Sequence, residues 1–237
     1  MIDLHTHILP GIDDGPRDLA GSLTMAEVAQ ANGIRVLVAT PHIREDHPRV
    51  RPAEIAALAR AIDAELAAHG IDVRVVPGGE LAITRAVDMT DDELRLVTLG
   101  GNGTDLLLET PHGALPSVFE TVAMDLMARG FRVTLAHPEL SRDIQRRPDI
   151  LRRLVDAGAL VQVTASSLEA RWSRRGGLAR RALKERLVHV VASDSHSATW
   201  RPPDLSAAAA LGALGRWLTT DVPRALLDGA ALPSAPR

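Results

Sequence analysis

Short apolar runs alternate along this chain with longer segments whose apolar residues recur at helical spacing. The spacing predicts helices over residues 16–32, 52–69, 116–129, 148–157, 176–187 and 204–218, and glycines follow the first four at the position where helices usually end. The apolar runs between them are almost continuous in Val, Leu and Ala, as expected of strands that a parallel sheet buries on both faces. The alternation indicates about seven β/α units.

Six of the apolar runs end in a histidine or a carboxylate. They are MIDLHTH, RVLVATPH, VRVVPGGE, DLLLET, RVTLAHPE and VHVVASDSH. The candidate ligands at these ends are His5, His7, His42, Glu80, Glu109, His137, Asp194 and His196, with Glu139 as a further candidate. Because parallel strands of an α/β barrel point their carboxyl ends at one face, these side chains are expected to meet there. A seventh strand from Ala159, ALVQVTASS, carries no obvious ligand.

Each strand end has an ordinary explanation when taken alone. His5 and His7 point the same way and can reach one ion, but alternating histidines on a strand are often plain polar positions. The turn Asp13-Asp14-Gly15 uses residues that turns prefer in any case. A carboxylate at the end of a buried strand is costly unless it is paired or bound to a cation. Six such ends in strand order favour a polynuclear metal centre over six unrelated hydrogen bonds.

Composition narrows the class of protein. The chain has 237 residues, of which 46% are hydrophobic, and we expect one domain over residues 1–230 with a flexible tail at 231–237. Cysteine is absent, which excludes thiolate phosphatases and proteases. A net charge of −3 gives no general attraction to nucleic acid. No apolar run is long enough for stable membrane insertion, so we expect a cytoplasmic protein. The sequence is compatible with a monomer or a homo-oligomer.

In order and spacing the motifs resemble the PHP (polymerase and histidinol phosphatase) domain. Within it, MIDLHTHILPGIDDG, VATPH, GGE, LLLETP, LAHPE and SDSH are similar to the CpsB/YwqE-type bacterial protein-tyrosine phosphatases, which are encoded with capsule and exopolysaccharide systems. The resemblance covers nearly the whole chain. It implies a distorted (β/α)7 TIM-like barrel, an α/β fold, that binds up to three divalent metal ions, with manganese favoured and iron or zinc compatible.

The resemblance also implies how the ligands are shared among three ions. The first ion would be held by His5, His7, Glu80 and Asp194. Glu80 would bridge to a second ion on Glu109 and His137. The third would be held by Asp14, His42 and His196, with Asp13 as a weaker candidate beside Asp14.

The activity this resemblance implies is phosphoester hydrolysis, with a metal-bridging hydroxide attacking phosphorus in line. The expected substrate is phosphotyrosine in the tail of an exopolysaccharide-system kinase, since a phenolate with a pKa of about 10 leaves more readily than an alkoxide. Two alternatives are a phosphatase for a small metabolite, such as histidinol phosphate or a nucleotide, and a catalytically weak module that binds a phosphorylated partner.

One departure concerns the arginine that would clamp the phosphate. The family motif usually reads HPER, whereas this chain has Leu140 in the arginine position. Arg201 in TWRPP matches a second family arginine and is the better candidate, and Arg142 is the other, although its surroundings also suit a solvated charge. The charged stretch after His42 contains Arg44, Arg49 and Arg51, and it is interpreted as a lid whose arginines receive a phosphopeptide with acidic neighbours, or as solvated surface. His47 and His112 are candidate proton donors, although loop histidines usually have no catalytic role.

Overall fold

Nine parallel strands and twelve α-helices make up this computed structural model, which describes residues 1–236. The strands are β1 Ile2–Thr6, β2 Val36–Ala39, β3 His42–Ile43, β4 Arg74–Pro77, β5 Glu80–Leu81, β6 Asp105–Glu109, β7 Arg132–Ala136, β8 Leu160–Thr164 and β9 Val190–Ala192. The helices are α1 Leu19–Ala31, α2 Pro52–Ala68, α3 Ile83–Ala86, α4 Asp91–Arg95, α5 Phe119–Ala128, α6 Arg142–Arg146, α7 Asp149–Asp156, α8 Ala165–Glu169, α9 Arg174–Lys184, α10 Ser206–Ala209, α11 Ala213–Arg216 and α12 Val222–Leu227.

The strands occupy seven positions around a barrel, because β2 continues into β3 and β4 into β5 after short breaks. Hydrogen bonding links them in the orders β1-β2-β4 and β3-β5-β6-β7-β8-β9. The segment after β9 returns to β1, where the His7 N–H donates to the Ser195 carbonyl at 2.8 Å and the Asp194 N–H to the His5 carbonyl at 3.0 Å. The distorted seven-stranded α/β barrel predicted from the sequence is thereby confirmed.

Glycines make the break between β4 and β5 possible. A Cβ at Gly78 would lie 2.9 Å from Val38 Cγ1, and one at Gly79 would lie 2.9 Å from Val97 Cβ. Only residues without a side chain allow the backbone to pass this close to its neighbours. The break carries the chain directly into Glu80, the first residue of β5.

Apolar side chains fill the barrel and the layer between barrel and helices. All five residues of β6 and of β8 are buried, in keeping with the apolar residues that predominate in both strands. The largest fully buried side chain is Phe119, which begins α5. Burial of this apolar surface is the main force that holds the helices against the strands.

Most predicted helices are confirmed, with shifts at their ends. Helix α2 begins at Pro52 as expected, whereas α1 begins at Leu19 because Asp18 caps it by accepting the Gly21 N–H at 2.9 Å. The prediction of one helix over residues 204–218 is wrong. Gly212, at φ 63°, separates α10 from α11, and a π-helical turn, Trp217–Asp221, then joins α11 to α12.

The last described residues, 231–236, form neither helix nor strand. The Pro233 carbonyl accepts a hydrogen bond from Trp217 Nε1 at 3.0 Å, and Leu232 packs against the core. Arg237 lies outside the described residues. The flexibility of the tail expected at residues 231–237 stays a prediction. Among the helices of residues 1–236, none is both long and apolar enough to cross a membrane.

Candidate metal centre

The nine side chains predicted as metal ligands lie together at the carboxyl ends of the strands. Their donor atoms fall into four overlapping groups, each with all its atoms within 4.8 Å of one another. The groups are His7–Asp14–His42–His196, His5–His7–Glu80, His5–His137–Asp194 and His42–Glu80–Glu109. Asp14 is the exposed member, and the others are buried or nearly so.

The grouping differs from the sharing that the sequence resemblance implies. His137 lies with His5 and Asp194, whereas Glu109 lies with His42 and Glu80. One reason is visible in the wall of the site, where Arg44 Nη1 donates to Glu109 Oε1 at 2.9 Å. This contact holds the Glu109 carboxylate on the side of the barrel where β3 ends.

Glu80 stands at the centre of the cluster. Its Oε1 lies 2.7 Å from His137 Nε2, and its Oε2 lies 2.8 Å from His42 Nδ1. Oε2 is also 3.3 Å from His5 Nε2, and the whole side chain is inaccessible to solvent. Burial alone raises the pKa of Glu80, but the surrounding imidazoles of His5, His137 and His42 outweigh it and hold the pKa well below the usual value.

Two candidate ligands have left-handed backbones, an uncommon state for residues other than glycine. His137 has φ 36° and Asp194 has φ 55°. Each is held there by a backbone hydrogen bond: the His137 N–H donates to Gln162 Oε1 at 3.2 Å and the Asp194 N–H to the His5 carbonyl. Such outliers persist where neighbouring structure fixes them, and they cluster at functional sites.

Buried atoms without partners show that these residues fit a cation. Within residues 1–236, His5 Nε2, His7 Nε2 and Glu80 Oε2 are buried and make no hydrogen bond of acceptable geometry, although Glu80 Oε2 lies close to the His42 and His5 nitrogens. The three residues form one of the four groups. Leaving such atoms unsatisfied is costly, and nitrogen and oxygen donors without sulfur suit Mn²⁺, Fe²⁺ or Zn²⁺. A divalent ion held by these residues would give each of the three atoms a partner.

A second layer of side chains orients the histidines. The Nδ1–H of His7 donates to Asp13 Oδ2 at 2.8 Å, and the same oxygen accepts the His42 backbone N–H at 3.2 Å. Burial opposes ionisation of Asp13, but contact with His7 lowers the pKa of this carboxyl below its usual value. An ionised carboxylate only accepts, so the proton sits on Nδ1 of His7 and Nε2 faces the cluster.

Gln162 does the same for His5. Its Oε1 accepts from His5 Nδ1 at 3.1 Å and from the His137 backbone. Gln162 was not predicted from the sequence, because β8 has no ligand at its end. The feature that could have indicated its role is a single glutamine in the middle of the buried run LVQVT. Asp13, expected as a weaker ligand, lies behind His7 and outside the four groups.

Glu139, the further ligand candidate, also lies outside the groups of donor atoms. Its Oε1 accepts from the Thr164 N–H at 2.8 Å and from Thr164 Oγ1 at 2.9 Å. The side chain is buried, and burial raises its pKa. Glu139 therefore ties the turn after β7 to the end of β8.

Two adjoining cavities open over the cluster. The first, of about 360 Å³, is lined by six of the nine candidate ligands together with Arg44, His112 and Arg201. The second, a trough of about 920 Å³, shares His112, Asp194 and Arg201 with it and extends past Trp200. A group bound over the cluster thus has an open path into the trough.

The family described as "Capsular polysaccharide synthesis, CpsB/CapC" matches residues 1–222 of the chain. The chain belongs to the CpsB/CapC family. Among its relatives, the tyrosine-protein phosphatase YwqE of Bacillus subtilis is 34% identical over 98% of this chain and 91% of its own length. The tyrosine-protein phosphatase CpsB of Streptococcus agalactiae is 28% identical over 88% of each chain.

Solved structures agree with the CpsB/CapC assignment. One, described as crystal structures of YwqE from Bacillus subtilis and CpsB from Streptococcus pneumoniae, unique metal-dependent tyrosine phosphatases, superposes with a TM-score of 0.86 at 31% identity and covers all of both chains. A lactonase from Listeria monocytogenes shares the fold alone, with a TM-score of 0.54 at 12% identity over 98% of this chain and 95% of its own.

The arginines of this CpsB/CapC member lie at different distances from the cluster. Arg201 forms an ion pair with Asp194 Oδ2, and its Nη1 lies 3.3 Å from His196 Nε2. Arg142 is exposed and lines only the trough. Arg44, which the sequence placed in a lid or on the surface, reaches the cluster itself through Glu109.

His112 has a distinctive charge state. Its ring centroid is 5.0 Å from that of His137. Burial and then repulsion from His137 lower the pKa of His112 to about 4. The ring is therefore neutral at neutral pH, and its role as a proton donor stays a prediction.

Proposed function

We propose that this protein is a metal-dependent protein-tyrosine phosphatase of a capsule or exopolysaccharide system. The observation that carries the proposal is the convergence of five imidazoles and four carboxylates on one face of a barrel, around the buried Glu80. Membership of the CpsB/CapC family and the tyrosine-phosphatase activity in the names of its relatives support it.

The proposed ligands of up to three divalent ions are His5, His7, Asp14, His42, Glu80, Glu109, His137, Asp194 and His196. Manganese is the proposed metal because the family resemblance favours it, and the nitrogen and oxygen donors suit manganese as well as iron or zinc. When bound, such ions stabilise charge on phosphoryl oxygens and supply a water acidic enough to react near neutral pH.

The chain's own residues would bind and orient the phosphoryl group. Arg201 lines the cavity over the cluster and offers planar N–H donors that match phosphoryl oxygens. Its ion pair with Asp194 fixes the direction of the guanidinium. Arg44 lines the same cavity and is held on Asp46 Oδ1 at 2.9 Å. We propose Arg201 as the main phosphate-binding arginine, with Arg142 limited to the trough.

The leaving group decides how much acid help is needed. Tyrosine leaves as a phenolate with a pKa of about 10, well below that of a serine alkoxide. A neutral His112 beside the site is compatible with that chemistry. We therefore propose phosphotyrosine in a protein segment, such as the tail of a tyrosine kinase, as the substrate, and the open trough accommodates the chain around it.

The test is phosphate release from a phosphotyrosine peptide and from p-nitrophenyl phosphate by manganese-loaded protein, with bound metal measured by elemental analysis. Glu80→Gln and His42→Ala are expected to lose metal and activity together. Glu65→Gln, a matched change on the exposed face of α2, should alter neither.

Three results would overturn the proposal. Full metal occupancy without turnover of either substrate would contradict the proposed phosphatase activity. Tight phosphopeptide binding without turnover indicates a partner-binding module. A far higher kcat/KM for a small phosphorylated metabolite indicates a metabolite phosphatase instead.

A further inference from the structure

Trp200 is an exposed aromatic side chain at the junction of the two cavities. The chain contains only three tryptophans, two phenylalanines and no tyrosine. Trp200 nevertheless keeps 75% of its surface exposed and lines the trough. An exposed indole at this position is free to contact a group that enters the trough.

Contacts on one side fix the indole next to the candidate metal centre. The Arg201 guanidinium lies 5.5 Å from its ring centroid, a cation–π distance. The His196 ring meets it edge-on, with centroids 6.5 Å apart at 86°. Trp200 thus neighbours both a proposed ligand and the proposed phosphate-binding arginine.

The loop that carries Trp200 is tightly hydrogen-bonded. Ser197 Oγ accepts the Trp200 N–H at 2.9 Å and the Thr199 N–H at 3.3 Å. The Arg201 carbonyl accepts the His196 N–H at 3.0 Å. The backbone below the indole is therefore preorganised, which lowers the entropy lost when a ligand binds against it.

The order of residues along the path into the trough suggests what that ligand is. Arg201 lines both cavities, whereas Trp200 lines only the trough. A phosphoryl group over the cluster that contacts Arg201 places the group attached to its bridging oxygen alongside Trp200. An aromatic ring there meets the indole, while the short stem of an alkyl phosphate offers no ring to stack.

We propose that Trp200 contacts the aromatic ring of the substrate and sets a preference for aryl over alkyl phosphomonoesters. The inference rests on the proposed function and names a specificity residue for it. An aromatic pair contributes a two- to about tenfold difference in binding.

The test compares Trp200→Leu and Trp200→Phe on phenyl phosphate and ethyl phosphate. Trp200→Leu should lower the ratio of the two kcat/KM values about two- to tenfold, and Trp200→Phe should keep most of it. Trp172→Leu is the matched control, because that indole is 100% exposed but does not line the trough, and it should leave the ratio unchanged. An unchanged ratio in Trp200→Leu would overturn the proposal.

A binding measurement separates this proposal from the proposed function. In Trp172→Leu protein, phenylphosphonate should quench tryptophan fluorescence more than ethylphosphonate, and adding Trp200→Leu should remove the difference. Failure of phosphatase activity with this quenching intact overturns the function alone. Equal quenching by the two phosphonates overturns the role of Trp200, whatever the activity.

Discussion

Replacing Asp13 by asparagine tests whether the residues behind the histidines control metal binding. The change keeps the side chain's shape and an oxygen that can accept from the Gly15 N–H, which now donates to Oδ1 at 3.0 Å. It removes the negative charge that accepts the His7 Nδ1–H at 2.8 Å. His7 then loses the group that fixes its proton on Nδ1.

The loss of metal affinity has a similar magnitude whether it is taken from the hydrogen bond or from the orientation of the histidine. A hydrogen bond to a charged group contributes about 1.5–3 kcal/mol. An asparagine whose oxygen faces the Gly15 N–H places its NH2 group where Oδ2 was, and this group cannot accept the His7 Nδ1–H. Loss of a partner that orients a ligating histidine typically lowers metal affinity by about 10–100-fold, or about 1.4–2.8 kcal/mol. We expect manganese affinity to fall by about tenfold or more.

The loss should grow with pH. Burial works against protonation of His7, but Asp13 raises the pKa of His7 above its usual value, so the carboxylate also favours the proton that competes with metal. Asparagine weakens both the hydrogen bond that orients His7 and the preference of His7 for a proton. Competition from that proton declines as pH rises. The loss should therefore be larger near pH 8 than near pH 6.

Calorimetric titration of EDTA-treated protein with Mn²⁺ measures the affinity. Asp18→Asn is the matched control, because Asp18 is exposed at the start of α1 and asparagine caps helices as well as aspartate does. If Asp13→Asn is folded and binds manganese as tightly as Asp18→Asn, the proposed role of Asp13 is wrong.

Three further predictions concern metal removal, pH and packing. Manganese at 100 times the Kd of one site in the unmutated protein should stabilise EDTA-treated protein by about 2.7 kcal/mol in thermal unfolding. An equal gain in Glu80→Gln at the same manganese concentration would contradict the assignment of Glu80. Glu80 raises the pKa of His137 to about 9 against the effect of burial, so affinity should rise with pH up to about 9. Calorimetry in two buffers should accordingly show proton release on binding near pH 7, and its absence would refute this reasoning. Gly79→Ala should cost about 1–3 kcal/mol in denaturant unfolding, because its Cβ would lie 2.9 Å from Val97 Cβ, whereas Gly177→Ala, with open space around it, should be neutral or stabilising. Equal effects of the two alanines would show that packing at the strand break is not the cause.

Sequence patterns predicted some helix ends correctly and others wrongly, and they did not reveal the residues that hydrogen-bond to the candidate ligands. Helix α2 was predicted to within one residue, because Pro52 and Gly70 mark its ends. The segment 204–218 was wrong, since apolar spacing does not reveal the left-handed backbone at Gly212. Gln162 was not recognised as part of the site, and the contact of Arg44 with Glu109 was not foreseen, because each acts on a residue from a different strand.

The barrel and the candidate ligands could be predicted from the sequence because both follow from local rules. Apolar runs separated by helical segments give parallel strands, and parallel strands bring their carboxyl ends to one face. The folded structure was needed to establish how the ligands group, which nitrogen of each histidine faces the cluster, and which arginines reach it. Those features depend on distances of a few ångströms between strands far apart in the chain, such as His5 in β1 and Gln162 in β8. No local pattern encodes such distances.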